Sequence, residues 1–190
     1  MSILTINSGS SSLKFSIYRM ETSETLIASG EVERIGKNGG LFRAKDTEGR
    51  NLTEKRLDIP NHEKALKVLF EWLKSNAYDK SLSAVGHRIV HGGARYLKPH
   101  RVTPDVLLEL RCLTPFAPEH LPHEIKAIEM VGRFYPGIRQ SACFDTAFHS
   151  NLVPLCYHAF NGDYRKFSHY GQIVESCELQ THFPGESCPT

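Results

Sequence analysis

Three short stretches of this 190-residue chain combine residue types that handle anions. The first runs Asn7-Ser8-Gly9-Ser10-Ser11-Ser12, with Lys14 just beyond it. Hydroxyls, backbone N–H groups unobstructed by bulk and one cation supply donors and charge for a phosphate. The same residues also suit an ordinary hairpin turn, because Asn, Ser and Gly all favour turns. A P-loop is excluded. The Gly-to-Lys spacing is shorter than G-x-x-x-x-G-K-[ST], and a strand pattern follows where that motif needs a helix.

The second stretch is Gly86-His87-Arg88-Ile89-Val90-His91-Gly92-Gly93. A guanidinium beside glycines can approach a carboxylate or phosphate and bind it bidentately. The two histidines read equally as strand-end residues bonded to backbone, and two His four apart make no metal site without further ligands. The third stretch, Cys143-Phe144-Asp145-Thr146-Ala147-Phe148-His149, sets a carboxylate at a strand end before small residues. Asp145 is there either a site carboxylate or a helix N-cap.

The elements that must position these residues follow from periodicity. Leu13, Phe15 and Ile17 alternate with Lys14, Ser16 and Tyr18, so Ile3 to Tyr18 reads as strand, small-residue loop, strand. Short strands are expected at 25–35, 41–44 and 51–59, separated by turns at 36–40 and 46–50. From His62 to Asn76 the period becomes helical, with Ala65, Val68, Leu69, Trp72 and Leu73 on one stripe and Asn61 as N-cap. Trp72 is expected in the core. A short strand at 82–86 leads into the second stretch. Thr103-Pro104 opens a helix, 114–122 is a proline-rich loop, 123–134 a second amphipathic helix, and 138–144 a returning strand. In an α/β sheet, ligands sit at the carboxyl ends of strands, which is where the second and third stretches fall.

Composition bounds the rest. The net charge is +2 with both signs mixed along the chain, which argues for neither a nucleic acid nor an anionic membrane as partner. No apolar stretch reaches bilayer length, and no basic segment precedes an apolar run at the N-terminus. Five widely spaced cysteines form no C-x-x-C pair, so a reduced, cytoplasmic setting is expected.

The strings themselves say more. Asn-x-Gly-Ser-Ser-Ser-x-Lys-Phe from Asn7 to Phe15, Gly-His-Arg-x-Val-His-Gly-Gly from Gly86 to Gly93, and Phe-Asp-Thr-Ala-Phe-His from Phe144 to His149 closely resemble three signatures of the acetate kinase family. That family belongs to the sugar kinase, heat-shock ATPase and actin superfamily. The resemblance implies an α/β, ribonuclease-H-like domain over 1–150: a mixed sheet begun by antiparallel strands and completed through helical crossovers. It implies ATP + acetate ⇌ ADP + acetyl phosphate with Mg²⁺ (or Mn²⁺), acetate or propionate as the acceptor, and a homodimer.

By the same resemblance, Arg88 binds the acetyl carboxylate and the transferring phosphoryl group, and Asp145 is the active-site aspartate. Asn7 helps hold the metal shell, and Ser10, Ser12 and Lys14 contact the ATP phosphates. Val90 lines the acetate methyl pocket and Phe116 its apolar wall. Ala117 stands where an Ala-Pro-Leu-His-Asn-Pro string of the family carries its His, with His120 nearby. Acetate is already ionised at neutral pH and needs no base, so Asp145 is read as orienting Mg²⁺ and its waters.

After about residue 150 the family's next string, Arg-Tyr-Gly-Phe-His-Gly-Thr-Ser-His, is not found. Residues 151–190 read as a divergent or frame-shifted tail, and a family chain is about twice as long. Two readings stay open: a working kinase, and a non-catalytic remnant that binds anions.

Overall fold

The computed structural model describes residues 1–146. The expected 151–190 tail, and the last three residues of the Phe144–His149 string, lie outside the described residues.

The chain opens on strand β1 (Ser2–Ser8) and turns back as β2 (Ser12–Met20), pairing Asn7 with Lys14 and Ile6 with Phe15. Leu4, Ile6, Leu13, Phe15 and Ile17 point into the core, while Thr5, Asn7, Lys14 and Ser16 line the other face of the sheet. Strands β3 (Glu24–Glu33), β4 (Gly40–Asp46) and β5 (Asn51–Leu57) continue the antiparallel meander. Helix α1 (His62–Ser75) starts where Asn61 accepts the Lys64 N–H at 3.0 Å, a side-chain cap for an otherwise orphan donor. It carries the chain back to β6 (Leu82–Ile89), which pairs with β1 in parallel.

The two-residue β7 (His100–Arg101), helix α2 (Pro104–Cys112) and helix α3 (Leu121–Phe134) follow, and β8 (Arg139–Phe144) runs parallel to β6. The sheet order is β5-β4-β3-β2-β1-β6-β8-β7. This is the mixed sheet that the strings imply.

The core lies between the sheet and helices α1 and α3, with Leu4, Leu13, Leu66, Leu69 and Val131 fully buried. Phe15, Phe42 and Trp72 pack ring against ring with centroids 5.5, 5.8 and 6.1 Å apart. Trp72 is a core residue as expected, and its indole N–H donates to Thr53 Oγ1 at 3.1 Å. A second cluster joins α2 and α3 to Ile89, Tyr96 and Phe144 at the site end of the sheet.

Near the site two boundaries move and one strand is new. Strand β6 continues past Gly86 to Ile89, so Arg88 lies inside a strand rather than in the loop after it. Helix α3 begins at Leu121 instead of His123, because Pro122 is tolerated in a first turn. Strand β7 is too short for any periodicity to reveal.

Candidate active site

Strands β1, β6 and β8 run parallel, so their carboxyl ends meet at one edge of the sheet, and β2 starts there. This is the crevice position that the topology favours for ligands. A groove of about 360 Å³ opens on the sheet face away from α1, lined by Asn7, Lys14, Ser16, Arg88 and Cys143 among others. Asn7, Lys14 and Arg88 therefore converge. Ser10, Ser12, Val90 and Phe116 lie outside that lining. Ser10 is exposed and Ser12 half-buried in the turn that closes the β1–β2 hairpin, where the Gly9 N–H donates to Ser12 O at 2.9 Å.

Arg88 and Asp145 come together across 57 residues of sequence. Arg88 Nε donates to Oδ1 and Oδ2 of Asp145 at 3.0 and 3.1 Å, and Nη2 to Oδ2 at 2.7 Å. The Asp145 bonds, above all, raise the Arg88 pKa beyond its ordinary value, although burial opposes this. The pair is half-open to water, with Arg88 52% and Asp145 29% exposed. Such a pair is worth about 0–1 kcal/mol. An entering anion can thus take over the guanidinium at little cost, and the carboxylate is released for a cation.

The segment after β6 is held from below. Val90 N–H donates to both carboxyl oxygens of Glu124 at 3.2 Å, and Glu124, in the first turn of α3, is only 2% exposed. Burial pushes its pKa up to about 8, with Asp145 adding to the rise while the Val90 N–H and Arg88 oppose it. Next along, His91 Nδ1 accepts the Gly93 N–H at 2.9 Å, and its ring stacks on Phe116 at 5.9 Å. Gly92 sits where a Cβ would lie 2.7 Å from the Phe144 ring, and its N–H donates to Thr146 Oγ1 at 3.2 Å. The second and third strings are thereby joined.

His87, His62 and His123 are structural supports. His87 is buried and its Nε2 bonds Gln140 Oε1 at 2.8 Å; burial drives its pKa down to about 4. His62 Nε2 donates to the Gly9 carbonyl at 2.6 Å and stacks on His123 at 3.9 Å, tying the Ser-rich turn to α1 and α3. Burial lowers the His62 pKa, helped by His123 and opposed by the Gly9 carbonyl. Among the described residues no cluster of three His, Cys, Asp or Glu could hold a metal.

Ala117 is buried in the α2–α3 cluster, an apolar packing position. Matched from Ala117 to Pro122, the proline-rich loop meets Ala-Pro-Leu-His-Asn-Pro at its Ala, Pro, His and Pro. The string's His therefore falls on His120, and the expected departure at Ala117 is corrected.

Glu124 and the His62–His123 stack escaped the sequence reading. A signal for the first existed: Glu124 sits on the stripe of Leu121, Ile125 and Ile128, the one acid on a buried face.

Three parallel strand ends bring Arg88, Asp145 and the Ser-rich turn to one end of the sheet, beside a groove lined by Asn7, Lys14 and Arg88, and define an α/β domain with a candidate anion site. The Acetokinase family model matches residues 2–171. The chain is 40% identical over 154 residues to an acetate kinase of Rhodopseudomonas palustris, covering 79% of this chain and 38% of that protein. It is 35% identical over 176 residues to an acetate kinase of Halothermothrix orenii, covering 90% and 44%. Among solved structures, Porphyromonas gingivalis acetate kinase superposes with TM-score 0.71 at 33% identity, covering 77% of this chain and 38% of that one. A propionate kinase from Francisella tularensis also gives 0.71, at 31% identity over 78% and 38%.

The chain belongs to the acetokinase family, and its described domain has that family's fold. It spans less than half the length of these relatives. The family match also continues to residue 171, past the point near 150 where the strings ceased to be recognisable.

Proposed function

We propose that this chain carries one wall of an acetate kinase active site, taking part in transfer of the ATP γ-phosphate to acetate or propionate. The observation that carries the reading is the Arg88–Asp145 pair at the carboxyl ends of parallel strands, beside a groove with Asn7 and Lys14. Phosphoryl transfer asks a protein for in-line positioning and charge neutralisation rather than covalent chemistry. Arg88 binds the acceptor carboxylate bidentately and neutralises the transferring group. Lys14 and the hydroxyls of Ser10 and Ser12 take the ATP phosphates.

The oxygen donors of Asn7 and Asp145 suit Mg²⁺, which keeps several waters and needs few protein ligands. When bound, the ion neutralises phosphate charge and screens the leaving group. Asp145 orients its waters, and Asn7 holds its shell. Val90 is the apolar contact for the acceptor's methyl, and Phe116, 46% exposed and stacked on His91, is the rim of that pocket.

Among the described residues no helix is long and apolar enough to cross a membrane. The homodimer that the resemblance implies would draw on exposed apolar residues, among them Leu97, Leu108 and Phe134.

The chain's 38% share of its relatives' length favours a second reading, a domain that binds anions without turnover. Loss of one transition-state donor alone costs about 10²–10³ in rate. A hydroxamate assay for acetyl phosphate with the chain, ATP, Mg²⁺ and acetate separates the two. Product that disappears in Asp145→Asn establishes catalysis, whereas a folded chain with no product leaves the anion-binding domain.

A further inference from the structure

Strand β6 ends at Ile89, whose ladder partner is Phe144, so the next N–H, that of Val90, has no strand to donate to. Glu124 meets that N–H instead, with both carboxyl oxygens at 3.2 Å. An aliphatic residue would satisfy the α3 stripe better but would leave the Val90 donor unpaired, which is costly in a buried setting. We propose that Glu124 is a positioning residue of the carboxylate subsite, holding the Val90 peptide beside Arg88 and setting through its own charge how firmly that subsite takes an anion. The proposal rests on the reading of Arg88 as the carboxylate-binding residue.

The surroundings fit this role. Arg88 of β6 and Asp145 after β8 are the charged groups that act on Glu124, and they are bonded to one another. The charged and titratable groups that α1 and α2 turn toward α3 are paired elsewhere: His62 with His123, Glu63 with Lys126, and Arg111 with Glu129. His91, in the strap beyond Val90, is engaged with the Gly93 N–H. As a neutral acid, Glu124 supports the Val90 peptide without adding negative charge to a site that receives anions. Ionised, it stands as a second carboxylate facing Arg88 and repels the ligand.

The test is propionate binding to the full chain, followed by ligand-observed NMR at pH 6.5 and pH 9. Cys143 stands opposite Arg88 in the β6–β8 ladder, so every chain compared carries Cys143→Ser. The parent is expected to bind roughly tenfold more weakly at the higher pH. Glu124→Gln keeps a carbonyl acceptor for Val90 and should bind equally at both, while Arg88→Ala should not bind. If the parent binds through Arg88 but Glu124→Gln shows the same loss at pH 9, the proposal alone is overturned. If no chain binds, or Arg88→Ala binds like the parent, the carboxylate reading of Arg88 fails and takes the proposal with it. Should Glu124→Gln not fold, the parent decides: equal affinity at the two pH values overturns the proposal, and the tenfold loss supports it.

Discussion

Glu124 should make the fold lose stability as the pH rises, and Glu124→Gln should remove that loss. Its carboxyl ordinarily titrates at 4.5 and is pushed up to about 8 in the folded chain, chiefly by burial. Between those values the folded chain holds a proton that the unfolded chain has released, so the native state weakens with each pH step. The contribution is fully present below 4.5 and gone above about 8. At about 1.4 kcal/mol per pH unit, the loss from pH 4.5 to pH 7 is on the order of 3 kcal/mol, and to pH 8 on the order of 5. A domain's whole margin is about 5–15 kcal/mol, so the effect is large enough to measure directly.

The assay is urea unfolding followed by fluorescence of Trp72, the chain's one tryptophan and a core residue. Points from pH 6.5 to pH 9 lie above the window in which His87 changes stability and leave Tyr96 and Tyr135 protonated, since burial holds both at about 12. The parent's midpoint should fall across this range, while Glu124→Gln should stay level and exceed the parent above pH 7. A variant whose midpoint tracks the parent at every pH would refute the argument, since the alkaline loss would then arise elsewhere.

His87 gives the opposite limb. Burial lowers it from 6.5 to about 4, so its share of stability is lost as the pH falls through that window, and in chains that already carry Glu124→Gln, the further change His87→Gln should flatten melting temperature between pH 6.5 and pH 4. Gly92→Ala sets a Cβ 2.7 Å from the Phe144 ring and should destabilise by about 1–3 kcal/mol, read as a lower urea midpoint. Arg88→Ala should cost the fold less than about 1 kcal/mol, because the Asp145 pair is half-exposed, yet abolish propionate binding. A large drop in stability would make Arg88 a structural residue. Association through the exposed apolar residues should appear in sedimentation as a concentration-dependent dimer, and Leu108→Glu should weaken it.

Local chemistry made much of this legible. The alternation from Leu13 to Ile17 and the change of period after Pro60 are properties of a strand and a helix wherever they occur, so hairpin and α1 could be read directly. The strings around Asn7, Arg88 and Asp145 named their residues without any coordinates. What the sequence alone left open was everything that depends on which strand lies beside which. Only the parallel pairing of β1, β6 and β8 decides that three distant strings share an edge. Only that pairing sets Asp145 onto Arg88 rather than onto a helix end alone. Glu124 reads locally as a misfit on an apolar stripe. It becomes a partner for Val90 because the fold ends β6 above α3, and burial there, a property of the whole assembly, sets its charge.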